Sequence, residues 1–226
     1  MYKGIIFDFN GTLFFDSEKH LEAWREFSKR IRPYPFTDEE MREHMFGRTN
    51  EDIISYLLGR KPDAELVEKL GQEKEAVYRE MCRKDMIHTV LAPGAAEFLD
   101  FLKENDIPRT IATMSDKSNV DFYIETFKLE KWFDVNKIVY DDGTLPGKPA
   151  PDIYIKASKN LGIAVKDCVV VEDALSGLES AHKAGAGMII AMASMESDDL
   201  YKKIPYVDKI IHDFREAEGL FEYCKI

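Results

Sequence analysis

Four stretches of this chain end in polar side chains that could do chemistry together: Asp8 with Asn10, Thr113 with Ser115, Lys148, and Glu172 with Asp173. Three of the stretches begin as short apolar runs, and their length and β-branched residues predict buried strands. The carboxyl ends of parallel strands open on one edge of a sheet, where such proteins build their sites. We therefore expect these side chains to lie close together.

Asp8 follows the apolar run Gly4–Phe7 in the sequence D-F-N-G-T-L. A carboxylate in this place predicts a metal ligand, a nucleophile, or both. The same letters also suit an Asx-type turn in which Asp8 only caps backbone N–H groups. The short motif alone leaves the alternatives open, and the downstream residues have to decide between them.

Three acidic groups and one lysine gathered at one edge would repel and desolvate one another without a counter-ion. Hard oxygen ligands with no nearby histidine or cysteine suit Mg²⁺. Mg²⁺ and Lys148 together would neutralise a phosphoryl group and an attacking carboxylate, as phosphoryl transfer needs. The plainer alternatives are a solvated loop lysine at 148 and a helix N-terminal acid pair at Glu172–Asp173.

Strands and helices alternate from about Leu91 onward, which predicts a parallel sheet with helices on both faces. The stretch from Ser17 to about Ile87 is charged, has apolar residues at helical spacing and contains no convincing strand. We predict an α/β protein with a Rossmann-like, doubly wound parallel sheet and an inserted all-helical domain. The predicted boundaries are residues 1–16 with 88–226 for the sheet domain and 17–87 for the insert.

The net charge, the cysteine content and the lengths of the apolar segments argue against several classes of protein. Lysine and arginine number 31 and aspartate and glutamate 42, for a net charge of −11, which argues against binding to nucleic acid or to an anionic membrane. The three cysteines, Cys82, Cys168 and Cys224, form no C-x-x-C pair and indicate a reducing compartment. With no signal peptide and no membrane-length apolar segment, we expect a cytoplasmic protein.

Taken in order, four motifs resemble those of the haloacid dehalogenase superfamily, in its β-phosphoglucomutase and small-phosphatase branch. They are D-F-N-G-T-L from Asp8, the strand ending in Thr113, G-K-P-A-P-D-I-Y from Gly147, and V-V-V-E-D-A-L-S-G-L from Val169. The helical insert lies where this branch carries its cap domain, and the likeness spans nearly the whole chain.

The resemblance implies a role for each motif residue. Asp8 would be the nucleophile that becomes an aspartyl phosphate, and Lys148 would bridge it to the phosphoryl group. Metal ligands would be Asp8, the backbone carbonyl of Asn10, Glu172 and Asp173. Substrate would be bound by two sets of residues, one in the sheet domain and one in the cap: Thr113, Met114 and Ser115, and His20 and Arg48.

Asn10 departs from the family pattern, which usually has a proton-transferring aspartate two residues after the nucleophile. An amide donates hydrogen bonds but transfers no proton at neutral pH. Hydrolysis of the aspartyl phosphate would then be slow, or a cap residue such as His20 or Glu18 would supply the proton. A substitution introduced by engineering is a further explanation.

The sequence therefore predicts a Mg²⁺-dependent phosphatase of a small phosphorylated metabolite, as a monomer or weak dimer. The alternative from another class is a hydrolytically weakened protein that binds a phosphometabolite. A phosphosugar mutase is disfavoured, because our alignment places Asn50 where the mutase has a phosphate-binding arginine. Dehalogenase and phosphonatase activities fit less well, since Glu172–Asp173 argues for a metal and Lys19 lacks an apolar setting.

Overall fold

The computed structural model describes residues 2–45, 49–194 and 197–220, with the side chains at 42–43 and 218–220 left aside. Arg48 and Cys224 therefore lie outside the described residues. Contacts divide the chain into two compact units, Met1–Phe15 with Val90–Ile226, and Asp16–Thr89. We call them the sheet unit and the helical unit. The cap role of the helical unit stays a prediction.

The sheet unit is built on six strands that pair in the order β3-β2-β1-β4-β5-β6, and every described pair is parallel. In chain order the strands are β1 Gly4–Phe7, β2 Arg109–Asp116, β3 Val139–Asp141, β4 Cys168–Glu172, β5 Met188–Met192 and β6 Lys209–Ile211. This topology confirms the predicted α/β class with a doubly wound parallel sheet.

The position of β1 in the centre of the sheet determines where a site can form. β1 pairs with β2 on one side, Phe7 opposite Ile111, and with β4 on the other, Phe7 opposite Val171. The strand order reverses direction between β1 and β4, and open α/β sheets bind ligands beyond the carboxyl ends of strands at such a point. Asp8 follows β1 directly there.

Helices between the strands cover the sheet, and their ranges are α5 Ala95–Glu104, α6 Lys117–Phe127, α7 Asp152–Leu161, α8 Leu175–Ala184 and the short α9 Asp198–Tyr201. One apolar cluster joins β1, β4 and β5 to α7 and α8 through Ile6, Val170, Ile189, Tyr154 and Leu178. Elsewhere in the core, Phe7 makes edge contacts with Phe98, Phe133 and Phe214. β1 is consequently buried along its whole length.

The helical unit contains α1 Ser17–Ser28, α2 Asp38–His44, α3 Asn50–Leu58 and α4 Ala64–Lys84. The sequence T-D-E-E from Thr37 predicts a capping box, and the structure confirms it, since each of Thr37 and Glu40 accepts the other's backbone N–H with its side chain. Asn50, which comes just before the apolar residues of α3, predicts the N-cap of that helix, and this is wrong by one residue. Thr49 caps α3, because Asp52 three residues later completes a reciprocal capping box. No described helix in either unit is long and apolar enough to cross a membrane.

A charged pair links the loop after α1 to α2 inside the helical unit. The Arg32 guanidinium donates two hydrogen bonds to Glu40, at 2.7 and 2.8 Å, and lies over the ring of Phe36. Tyr56 also donates to the Glu40 carboxylate, at 2.9 Å. The hydrogen bonds from Arg32 are the largest cause of a lowered pKa for Glu40, about 2 against an ordinary 4.5.

We expect Glu40→Gln to lower the free energy of unfolding by about 1–2 kcal/mol at pH 7, because it leaves Arg32 without a charged acceptor. The folded-state pKa of Glu40 lies below its unfolded value, so this stabilisation is complete above about pH 4.5 and is lost as the pH falls toward 2. Urea unfolding followed by fluorescence would show that the difference in free energy of unfolding between parent and variant becomes smaller from pH 7 to pH 3.

Glu39→Gln is the matched control, since Glu39 lies on the same turn of α2 but is exposed. If the free energy of unfolding of Glu40→Gln stayed below that of the parent by a constant amount over this pH range, the effect could not be assigned to the ionised carboxylate.

Candidate active site

Asp8 is held at the end of β1 by the strand beside it. Its backbone N–H donates to the carbonyl of Val171 at 2.9 Å, continuing the β1–β4 ladder by one residue. The same register places Asp8 beside Glu172, the last residue of β4. Both side chains are buried, at 6% and 1% exposure. Two carboxylates thus lie next to each other in a region that water hardly reaches.

Lys148 compensates part of this charge. Its ammonium donates to Asp8 Oδ1 at 2.6 Å and to Glu172 Oε1 at 2.8 Å, and it lies 5.2 Å from the ring centroid of Tyr154. Burial acts to lower the pKa of Lys148, but the charges of Asp8 and Glu172 outweigh it and raise that pKa well above its ordinary value. Lys148 is therefore a positively charged bridge between the two carboxylates.

Glu172 is fixed by more than the lysine. Its Oε2 accepts the backbone N–H of Asp173 at 2.9 Å, while Oε1 faces Lys148. Gly177, in the first turn of α8, lies against the carboxylate so closely that a Cβ there would come within 1.3 Å of Oε1. The glycine provides the space that the Glu172 carboxylate occupies.

Asp173 lies between β4 and α8 and turns its carboxylate toward the loop after β1. Thr12 Oγ1 donates to Asp173 Oδ1 at 3.2 Å. Gly11 has a positive φ of +76°, and a Cβ on it would lie 2.1 Å from Asp173 Oδ2. Burial first, and then the charges of Glu172 and Asp8, raise the pKa of Asp173 well above its ordinary value. In this environment the ionised carboxylate requires a cation.

Asp8, Glu172 and Asp173 each offer one carboxylate oxygen within 4.8 Å of the others, which makes them a group that could hold a metal ion among the described residues. All three donors are hard oxygens, the type that Mg²⁺ and Ca²⁺ prefer. The small residues Gly11 and Gly177 leave room for the carboxylates on two sides. The cluster therefore fits a divalent cation.

Asn10 turns its side chain toward β2 and α6. Its Nδ2 donates to the hydroxyl of Tyr123 at 2.8 Å, and its Oδ1 accepts from Ser115 Oγ at 2.7 Å and, at a longer 3.4 Å, from Thr113 Oγ1. Tyr123 is buried and stacks on Phe9 with ring centroids 4.3 Å apart. The Asn10 amide is thus held by hydroxyl groups on two elements.

The residues predicted to bind substrate in the sheet unit lie at the end of β2. The Thr113 hydroxyl accepts the backbone N–H of Ser115 at 3.1 Å as well as facing Asn10. The methyl of Met114 faces the lysine loop, since it lies 3.6 Å from where a Cβ on Gly147 would be. The structure brings these residues next to the motif of β1, and their role toward a substrate stays a prediction.

The two residues predicted to bind substrate in the helical unit are His20 and Arg48. His20 stacks on Tyr78 with ring centroids 3.9 Å apart, and its Nδ1 lies 2.8 Å from Lys74 Nζ. Its Nε2 lies 3.3 Å from the buried carboxylate of Asp16. Arg48 lies outside the described residues, and the contacts of His20 do not test a role toward a substrate. Both assignments therefore stay predictions.

Three residues at the site escaped the sequence analysis: Thr12, Tyr123 and Gly177. A helical glycine five residues after Glu172, where no turn requires it, was a usable signal for close approach. Thr12 lies inside the first motif, whose letters equally suit a turn, so the sequence gives it no separate signal. Tyr123 gave no signal, because it belongs to the apolar face of α6 and resembles an ordinary core residue.

The sequence and the fold match known proteins over most of the chain. Residues 2–185 match the family model of haloacid dehalogenase-like hydrolases. A crystal structure of a HAD hydrolase, family IA, variant 3, from Entamoeba histolytica superposes with a TM-score of 0.90 at 42% identity, covering 95% of this chain and 94% of that one.

Two relatives of named activity are similar over most of their length. The phosphorylated carbohydrates phosphatase of Thermotoga maritima is 29% identical over 201 residues, which is 87% of this chain and 88% of that protein. The β-phosphoglucomutase of Bacillus subtilis is 26% identical over 192 residues, 81% of this chain and 80% of that protein.

We expect Gly177→Ala to weaken divalent-cation binding by roughly tenfold or more, because its Cβ would displace the Glu172 carboxylate. Calorimetric titration with MgCl₂ and MnCl₂ measures the effect, with circular dichroism to verify the fold. Gly71→Ala is the matched control, since Gly71 also lies within a helix and its nearest neighbour is 3.4 Å from the added Cβ.

The control should bind cations as the parent does and gain about 0.5–1 kcal/mol of stability. Unchanged cation binding in Gly177→Ala would exclude Glu172 from the cation site.

Proposed function

This chain belongs to the haloacid dehalogenase-like hydrolase family and is an enzyme of that hydrolase type, and from this premise we propose that it is a Mg²⁺-dependent phosphatase of small phosphorylated sugars. The observation that carries the proposal is the buried Lys148 ammonium between Asp8 and Glu172, with Asp173 in the same cluster. The phosphorylated carbohydrates phosphatase of Thermotoga maritima supports the substrate class.

In the proposed reaction Asp8 is the nucleophile. One of its carboxylate oxygens attacks phosphorus and the bond to the sugar oxygen breaks; that oxygen takes a proton from a water molecule and leaves as the alcohol. Water then attacks the phosphorus of the aspartyl phosphate, which releases inorganic phosphate and restores the Asp8 carboxylate. The Lys148 ammonium, 2.6 Å from Asp8 Oδ1, pairs with the attacking carboxylate and stabilises negative charge on the phosphoryl oxygens.

The proposed Mg²⁺ ligands are the carboxylates of Asp8, Glu172 and Asp173 and the backbone carbonyl of Asn10. When bound, the ion neutralises charge on the phosphoryl group and on Asp8. Thr113, with Met114 and Ser115 beside it, is proposed to hold phosphoryl oxygens at the end of β2. For this the Thr113 hydroxyl has to turn from the Asn10 amide toward the substrate.

We propose that the helical unit acts as the cap and selects the substrate, with His20 and Arg48 among the residues involved. His20 is the partly exposed member of a polar group with the buried Asp16 and Lys74, so its imidazole is the atom group proposed to contact a sugar hydroxyl. Such recognition by paired polar groups gives stronger discrimination than apolar contact.

We expect Asp8→Asn to lower the rate of phosphate release by at least about 10³-fold, because an amide cannot replace the carboxylate nucleophile. The assay measures phosphate released from a panel of sugar phosphates, nucleotides and an activated aryl phosphate, with MgCl₂ or with EDTA. Asp121→Asn is the matched control, since this exposed aspartate on α6 pairs with Lys117. Equal phosphate release by Asp8→Asn and its parent would overturn the proposal.

Asn10 favours a second candidate, a protein that forms the aspartyl phosphate or binds the phosphometabolite but hydrolyses it slowly. Every hydroxyl around the Asn10 amide can donate to a carboxylate, so an aspartate fits the same place. We expect Asn10→Asp to raise turnover by roughly 10²–10⁴-fold, the usual contribution of general acid–base catalysis. Steady-state phosphate release measures this gain.

Asn10→Ala separates the proton relay from the hydrogen bonds, because it removes the amide without adding a carboxyl group. It should give no gain in turnover. If the parent already turns over at 1–10³ per second, the ordinary range for enzymes, and Asn10→Asp is no faster, another group supplies the proton and the second candidate is excluded.

A further inference from the structure

Two hydroxyl groups that follow β5 donate to the loops of the proposed metal site. Ser194 Oγ donates to the backbone carbonyl of Gly11 at 2.9 Å, and the Tyr201 hydroxyl donates to the backbone carbonyl of Asp173 at 2.8 Å. We propose that Tyr201, supported by Ser194, is a positioning residue that fixes the direction of the Asp173 carboxylate for divalent-cation binding. The inference rests on the proposed function, since it takes Asp173 as a metal ligand.

Tyr201 is suited to hold a position. It is the last residue of the short helix α9 and is 2% exposed. Its ring belongs to the apolar cluster that contains Ala191, Ala193 and Leu178, so packing restricts where the hydroxyl can lie. A hydroxyl fixed by its ring makes a directional contact with little loss of side-chain entropy on binding.

The carbonyl that Tyr201 contacts lies where the chain leaves β4 and enters α8. The carbonyl of Ala174, one residue later, accepts the helical N–H groups of Gly177 and Leu178. The carbonyl of Asp173 precedes this ladder and takes the Tyr201 hydroxyl as its donor. A buried carbonyl that loses its donor costs free energy, so the contact favours one orientation of the Asp173 backbone.

Two other contacts of Asp173 act together with the Tyr201 hydroxyl to fix its backbone and carboxylate. Its N–H donates to Glu172 Oε2 and its Oδ1 accepts from Thr12, at 2.9 and 3.2 Å. With the carbonyl also fixed by Tyr201, the residue is held on both sides of its Cα. The carboxylate then faces Asp8 and Glu172 before any cation arrives, and a preorganised ligand binds a cation more tightly.

Ser194 acts on the same carboxylate from the other side. Gly11, whose carbonyl accepts from Ser194, lies so close to Asp173 that a Cβ on it would come within 2.1 Å of Oδ2. The Gly11 N–H also donates to the carbonyl of Phe14 at 2.7 Å. Fixing the Gly11 backbone therefore limits the space in which the Asp173 carboxylate can move.

Tyr201→Phe tests the inference, because it removes the hydroxyl and keeps the ring. We expect the Mg²⁺ dissociation constant, measured by titration calorimetry, to rise by about 3- to 10-fold, as for one lost hydrogen bond. The MgCl₂ concentration that gives half-maximal phosphate release should rise by the same factor, and the rate at saturating MgCl₂ should stay close to that of the parent. Ser194→Ala should shift both values in the same direction.

Tyr206→Phe is the matched control. Tyr206 follows α9 by a few residues, packs against the same apolar cluster and stacks on His182. Its substitution therefore shows how removing a tyrosine hydroxyl at this cluster affects cation binding in general. It should leave the Mg²⁺ dissociation constant unchanged.

The outcomes are distinguishable. A Tyr201→Phe protein that has a lower melting temperature in EDTA but the parent's Mg²⁺ affinity would show a structural role only and overturn the inference, while the proposed function stands. If the unaltered protein binds neither Mg²⁺ nor Mn²⁺ and releases no phosphate, the proposed function fails and the inference fails with it.

Discussion

The charge balance around Lys148 is the constraint on which the rest of the site depends. The carboxyl groups of Asp8, Glu172 and Asp173 lie together where Asp8 and Glu172 are buried and Asp173 is partly buried, and Lys148 supplies one positive charge. Burying unpaired charge is expensive, and such groups neutralise or acquire partners. Against the effect of burial, the surrounding carboxylates raise the pKa of Lys148, because they stabilise its positive charge. Burial raises the pKa of Asp173, and the surrounding carboxylates raise that pKa further, because they repel its negative charge. A bound divalent cation would complete the charge balance.

The sheet makes this balance possible by bringing distant residues to one place. Asp8 and Glu172 are adjacent because β1 and β4 pair in parallel, with Phe7 opposite Val171. Lys148 comes from the loop before α7, Asp173 from the connection between β4 and α8, and Gly177 from the first turn of α8. Each group lies on or next to a buried strand or helix, and such placement holds catalytic geometry more exactly than a free loop does.

Much of this arrangement could be predicted from local patterns. Short apolar runs mark β1 and β4, because buried parallel strands have little polar alternation. The polar residues after them then fall on one edge by topology alone. The ends of elements are harder to predict. The apolar run of β4 stops at Val171, but the strand extends to Glu172. Two capping residues stand side by side before α3, and Thr49 caps it because Asp52 follows three residues later.

The contacts that refine the site could not be predicted, because they join residues far apart in sequence through side chains that resemble core residues. Tyr123 and Tyr201 lie on apolar helix faces, and no spacing rule connects them to Asn10 or Asp173. Their hydroxyls become informative only when the sheet has placed them. A pattern of residue types gives the chemical groups of a site, and the tertiary structure determines which polar atoms meet.

The central place of β1 also affects how the chain is made. β1 is synthesised before both strands that flank it, with Ile111 and Val171 opposite Phe7, so its pairing is incomplete until β4 has been made. At about 5–20 residues per second, the wait for β4 is on the order of ten seconds or more. The helical unit is continuous in sequence and can form during that interval. A nascent chain can therefore fold the helical unit before the sheet unit, and the Asp8 carboxylate gains Glu172 as its neighbour only after β4 has been made.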